Sequence, residues 1–375
     1  MSVVQAEQTL REVLAAYDFG GSVENTGRFG EGHINDTFRA DVLSADGGCR
    51  RVIVQRVSPV AFKQPHQLME NVVSVTEYLG REIEKLGGDP SRETLTVIRA
   101  RDGSPCVTDS QGGVWRAFRF VEGTVCYQSA ETRSLFAASG RAFGRFQRLL
   151  RDYPANTLHE TIPRFHDTEN RLQNLKNAVA ADPLGRAKEC QADIEFMLAR
   201  EKDCSAALQA QRDGLLPLRV THNDTKLNNV LMDEQTGEAL CVIDLDTVMP
   251  GLAINDFGDS IRFGANHSAE DEPDLSKVNL DVELFEVYTA AFLEEAGDAL
   301  TEAEIRYLPW GARLMTLECG IRFLTDYLEG DNYFHISRPG QNLDRARTQC
   351  KLVADMEEHW DELNAIVAKY IPSQA

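Results

Sequence analysis

The hydrophobic rhythm of the chain changes about a third of the way along. A short amphipathic stretch at about 4–17 reads as a helix, and Val23–Phe29 and Thr37–Leu43 read as strands. Asp46-Gly47-Gly48 is a turn signal ahead of Arg51-Val52-Ile53-Val54-Gln55, a strong strand. Leu68, Val72, Val75 and Leu79 recur at helical spacing, which predicts a helix over about 65–86, and Gly87-Gly88 follows its end. Further strands fit Thr94–Ile98 and Val114–Phe120, with a hairpin-like piece between them. After Glu122-Gly123 the pattern becomes mostly helical, beginning with amphipathic Leu135–Leu150; a strand-rich patch at about 218–247 is the exception. The reading is an α+β chain with a small β-rich N-terminal lobe, 1–121, and a larger, mainly helical C-terminal lobe, 122–375. Small-molecule sites favour the cleft between such lobes.

Charge and cysteine usage narrow the partners. The net charge of -20 argues against nucleic acid, whose phosphates are bound by clustered Lys and Arg, and against docking on an anionic membrane. It fits a well-solvated acidic surface; the sharper alternative is attraction of a cationic substrate such as an aminosugar drug or choline. The eight cysteines are scattered without the close spacing of a zinc or redox motif, and several lie in apolar runs, as small core residues do in a reducing compartment. Met1–Ala16 carries Glu7 and Glu12 and no long apolar core, so no targeting peptide is expected, and no apolar run is long enough to span a membrane. The expected location is the cytoplasm. The oligomeric state is open, with a monomer compatible.

The segment richest in chemistry is Thr221-His222-Asn223-Asp224-Thr225-Lys226-Leu227-Asn228-Asn229. It contains His-x-Asp, with an Asn five residues after the Asp, and Asp244 follows twenty residues beyond Asp224. Phosphoryl transfer to an alcohol needs a carboxylate near the acceptor hydroxyl, oxygen ligands for a metal, and positive charge on the phosphates. Asp224 suits the first task. Asn229 and Asp244 offer an amide and a carboxylate oxygen, which suit hard Mg²⁺. This is the layout of kinase catalytic loops. Asp256-Phe257-Gly258 spells a kinase metal-binding triplet but comes thirty-two residues after Asp224, where a helix begins; Asp244 has the fitting spacing. Gly30-x-Gly32 lies between two strands, where backbone N–H groups could cover phosphates, although an ordinary hairpin turn explains it as well.

These residues resemble the catalytic core of the aminoglycoside phosphotransferase-like kinases, which share the protein-kinase fold. The chain as a whole is more similar still to the N-acetylhexosamine 1-kinases, through Gly-His-Ile-Asn at 32–35, Ile-Asp-Leu-Asp-Thr at 243–247, Phe-Gly-Asp-Ser-Ile-Arg-Phe-Gly at 257–264 and Asp-Tyr-Leu-Glu-Gly-Asp at 326–331. The resemblance implies a bilobal protein-kinase-like fold, ATP and Mg²⁺, and Asp256 as a brace near the catalytic loop. It implies that His33, Arg322 and Tyr333 join Asp224 around the sugar. An ordinary structural reading exists for each: an ion pair of Arg322 with Asp326, simple packing of Tyr333, a strand cap at His33. Gln55 stands where this fold usually has a phosphate-binding lysine, so Gln55 is a candidate nucleotide contact without charge, and Lys226 a candidate replacement cation. The reaction expected is attack of the anomeric hydroxyl of N-acetylglucosamine or N-acetylgalactosamine on the γ-phosphate, with Asp224 as base. The alternatives are a same-fold kinase of an aminoglycoside or choline, and a non-catalytic nucleotide-binding protein.

Overall fold

The computed structural model describes residues 3–30 and 34–371, with the backbone alone for 3–7. The chain forms two compact units. The first comprises 1–125 with the segments 156–163 and 231–249; the second comprises 126–155, 164–230 and 250–375.

The first unit is built on an antiparallel sheet. Its strands are β1 (Gly21–Arg28), β2 (Asp36–Ser44), β3 (Cys49–Arg56), β4 (Val97–Ile98), β5 (Val107–Thr108) and β6 (Val114–Arg119), in the order β1-β2-β3-β6-β4, with β5 on β6. Alternation along the strands decides which face is covered. Val52 and Val54 point to one side, where Val42, Trp115, Ala117 and Val13 close a core. Gln55 points to the other. The strand expected from Thr94 begins only at Val97, because Asp89 caps a helical turn, Pro90–Glu93, by accepting the Ser91 N–H. The predicted helix over 65–86 is Pro65–Lys85, with Leu68, Met69, Val72 and Val75 buried.

The second unit is helical around the long helix Leu308–Glu329, which packs against Thr168–Ala181, Ala253–Gly264 and Gln341–Glu358. Leu175, Met197, Ile321, Leu324 and Val353 are central in its core. Two of its contacts need glycine. A Cβ at Gly258 would overlap the carbonyl of Gly311, and one at Gly311 would overlap the carbonyl of Ile254. The strand-rich patch resolves into Arg219–Thr221, Val230–Asp233 and Ala239–Val242, with 3-10 turns at Leu227–Asn229 and Leu245–Thr247. Among the described residues no helix is long and apolar enough to cross a membrane.

Candidate active site

In the second unit, the strand Arg219–Thr221 delivers the catalytic segment. His222 is wholly buried, edge-on to Phe143 and Phe146. Asn223 then takes the left-handed backbone, φ 65°, which Asn tolerates better than most residues. Two backbone N–H groups are left at this bend, and Asp256 accepts both: His222 N–H at 2.9 Å and Asn223 N–H at 2.8 Å. Gln147 donates to the same carboxylate at 2.7 Å. Burial pushes the Asp256 carboxyl up, and these donors offset it only in part. Asp256 therefore braces the loop from inside the helix Ala253–Gly264. The next turn of that helix repeats the device, since Asp259 accepts the Thr225 N–H at 3.0 Å and Ser260 Oγ donates to the Thr225 carbonyl at 2.8 Å.

The loop so held brings three sequence-predicted residues together. Lys226 Nζ lies 2.7 Å from Asp224 Oδ1, with about a third of each side chain exposed (35% and 28%). The 3-10 turn returns Asn229 under Asp224, where its Nδ2 donates to the Asp224 carbonyl at 2.8 Å and to Oδ2 at 3.1 Å. The amide hydrogens of Asn229 thus face Asp224. Burial pushes the Asp224 carboxyl up, but the charge and hydrogen bond of Lys226, with His222 and Asn229, outweigh it and hold it below its ordinary value. Burial pushes Lys226 down, and Asp224 and Asp259 more than reverse it. The two groups are an ion pair at neutral pH.

Arg322 and Tyr333 line a cavity of about 240 Å³ in the same unit, with Arg171, Asn174, Asp326 and Phe334 among the other walls. The ion pair of Arg322 with Asp326 that sequence spacing allows does not form. Asp326 instead accepts the N–H groups of Asn332, Tyr333 and Phe334, at 2.8–2.9 Å, and the Asn342 amide at 2.9 Å. Asp326 thereby fixes the loop that carries Tyr333, whose side chain is exposed. The Arg322 guanidinium makes no hydrogen bond or ion pair among the described residues; it lies 5.2–5.8 Å from the ring centres of Phe165, Tyr333 and Phe334. Arg171 stands beside it, giving one hydrogen bond to the Phe165 carbonyl while its Nε is buried without a partner. Burial pushes Arg171 down first, and the neighbouring charge of Arg322 adds to it. Cys319, one turn before Arg322, is pushed up to about 11, first by burial, within the fields of Arg262, Arg322 and Asp259. Arg322 and the acid that holds Thr225 therefore influence one thiol.

The remaining candidates lie in the first unit. Asp244 is exposed, in left-handed backbone at φ 59°, and opens the turn Leu245–Thr247. Gly30 also has a positive φ, 78°, which suits glycine. Gly32 and His33 fall outside the described residues. Both ends of the Gln55 amide are occupied, with Nε2 donating to Thr37 Oγ1 and Oε1 accepting from Arg116 Nε, each at 3.0 Å.

This arrangement has known counterparts. The model of the phosphotransferase enzyme family matches residues 27–291. The chain belongs to that family. Similar solved structures include a microcompartment-associated aminopropanol kinase (17% identity, 97% of this chain and 99% of that one, TM-score 0.57). An amicoumacin kinase in complex with AMP-PNP, Ca²⁺ and its substrate is similar at 14% identity, 95% of each chain and TM-score 0.57. A choline/ethanolamine kinase family protein from Mesorhizobium loti is similar at 18% identity, 98% of this chain and 100% of that one, with TM-score 0.54. This phosphotransferase thus shares its fold with kinases of small molecules. Two residues that sequence reasoning missed are Arg171 and Arg116. Neither sits in a motif; each is brought to its place by a helix or a strand register.

Proposed function

We propose that this phosphotransferase moves the γ-phosphoryl group of ATP, with Mg²⁺, to the anomeric hydroxyl of N-acetylglucosamine or N-acetylgalactosamine, yielding the sugar 1-phosphate and ADP. The observation that carries the acceptor class is the unpaired Arg322 fork beside Arg171 and Tyr333 in the 240 Å³ cavity. Guanidinium donors suit the oxygens of hydroxyl and acetamido groups, and two of them disfavour a cationic acceptor. The aromatic edge of Tyr333 suits a sugar face. The N-acetyl group, the anomeric position and the role of His33 rest on the sequence resemblance.

In this reading Asp224 orients the acceptor hydroxyl and takes its proton, and transfer is direct and in line. Lys226 holds the Asp224 carboxylate ionised and supplies positive charge as the transferred group develops negative charge. Asn229 and Asp244 would hold the metal. Their donor set fits Mg²⁺, an amide oxygen turned away from Asp224 and an exposed carboxylate. Among the described residues no group of three or more His, Cys, Asp or Glu forms a cage, which accords with a Mg²⁺ completed by phosphate and water. Bound there, Mg²⁺ neutralises phosphate oxygens. Gly30, Gly32 and Gln55 belong to the nucleotide side, in a lobe of residues 1–121, and the acceptor is handled by 122–375, in the cytoplasm.

The test is ADP release with Mg²⁺-ATP across N-acetylglucosamine, N-acetylgalactosamine, glucose, galactose, choline and kanamycin, with ³¹P NMR of the product. We expect turnover with the N-acetylated sugars, a glycosyl phosphate signal, and a loss of about 10²–10⁴-fold in Asp224→Asn. Turnover with choline or kanamycin alone would overturn the acceptor assignment.

A further inference from the structure

Gln55, where this fold usually has a lysine, belongs to a row that crosses three strands. Thr37, Gln55 and Arg116 face one another in the antiparallel register of β2, β3 and β6. The row is bonded end to end, from Thr37 Oγ1 through the Gln55 amide to Arg116 Nε. Arg116 Nη1 then reaches Asp246 Oδ1 at 2.5 Å. Both partners are buried, with 2% and 3% exposure. A guanidinium placed there is unfavourable unless its charge is answered, and Asp246 answers it.

Asp246 is held from other sides too. Asn35 Nδ2 donates to its Oδ2 at 2.7 Å, and Asn35 Oδ1 accepts the Ser58 N–H at 2.9 Å. Thr161 Oγ1 donates to the Asp246 carbonyl at 3.1 Å. The turn Leu245–Thr247 is thus fixed, and Asp244 opens it in a left-handed conformation that a non-glycine residue keeps only when its surroundings impose it. The ion pair also occupies the carboxylate two residues from Asp244, so the exposed Asp244 is the one left to meet a cation.

We propose that Arg116 is a positioning residue for the divalent cation: the fixed charge absent from β3 is carried one strand over, on β6, and acts through Asp246 to hold Asp244 in place. This rests on Asp244 being a metal ligand. The probes are Mn²⁺, followed by electron paramagnetic resonance on the enzyme with ADP, and ADP alone, followed by calorimetry without divalent cation. Arg116→Met should weaken Mn²⁺ binding by about tenfold or more, as loss of a group supporting a ligand does. ADP affinity without metal should stay unchanged. Arg116→Lys should restore part of the Mn²⁺ affinity, since it keeps the charge and loses the Gln55 contact. Arg116→Met strands a buried Asp246 and can fail to fold; Arg116→Met with Asp246→Asn removes both charges and should fold with the same loss of Mn²⁺ affinity. Unchanged Mn²⁺ affinity in either folded variant overturns the proposal. An equal fall in metal-free ADP affinity also overturns it, because Arg116 would then act on phosphate. Neither measurement uses an acceptor, so a wrong sugar leaves the test intact, whereas no Mn²⁺ binding in the unaltered protein would strike Asp244 as ligand and this proposal with it.

Discussion

Asp224 is a carboxylate that three neighbours keep ionised. Burial alone would favour its protonated form, and the Lys226 ammonium at 2.7 Å is the largest opposing influence. A base must be deprotonated to accept a proton, so a lowered Asp224 pKa keeps the site competent until the pH falls through that lowered value. Removing Lys226 leaves burial less opposed, and the pKa must rise. We therefore expect the acid limb of the kcat/KM profile to move to higher pH in Lys226→Met, with a lower plateau as well if the lysine also answers charge in the transition state. An unmoved acid limb with an intact plateau would return Lys226 to the status of a solvated loop residue. Asp224 and Lys226 are legible from the sequence because their chemistry is local: five residues separate Asp224 from Asn229, and one turn closes the group. Arg171 is not legible, because it meets Arg322 only through the packing of Thr168–Ala181 on Leu308–Glu329.

At the scale of elements, the helix Ala253–Gly264 is the beam from which the catalytic loop hangs. Asp256, Asp259 and Ser260 face the loop, and Gly258 faces the other way, onto Gly311 of the long helix. The conserved-looking triplet Asp-Phe-Gly is thus explained without metal: the Asp accepts loop N–H groups, the Phe stacks edge-on against Phe285 and Phe292, and the Gly permits helix contact. Sequence spacing already set this triplet aside, but not the reason for its glycine, which depends on a crossing with a helix about fifty residues on. The fifth-strand region shows the opposite case, where the Asp89 cap converts part of an expected strand into a helical turn. Gly258→Ala adds a methyl group against a backbone carbonyl that cannot swing aside. We expect a loss of about 1–3 kcal/mol in urea unfolding, together with a fall in kcat as the beam shifts under Asp224. The same substitution at Gly30, where a Cβ meets nothing within 4 Å, should leave helix packing untouched and serves as a comparison.

For the whole molecule, the acidic surface and the acceptor cavity pull in opposite directions. A net charge of -20 draws cations toward the protein as a whole, while the cavity around Arg322 presents two guanidinium groups. Distance decides between them. At physiological ionic strength the screening length is about 8 Å, so scattered surface carboxylates contribute little inside a cavity. Two unit charges about 4 Å apart near a protein surface interact by roughly 4 kcal/mol. The local arginines should therefore win. Glucosamine and glucose test this with one ring and two charges, each used as a competitor of N-acetylglucosamine turnover at a pH where the amine is protonated. We expect glucosamine to compete about tenfold or more weakly than glucose at physiological salt, that fraction of the Coulomb figure being enough. Lowering the salt lengthens the reach of the acidic surface and should narrow the gap. Arg171→Gln should narrow it at any salt, because it removes one of the two charges the ammonium meets. Equal competition at physiological salt, or a gap indifferent to Arg171→Gln, would mean that the acceptor does not meet this pair of arginines, and the acidic surface would then favour the amino-alcohol substrates of the similar kinases.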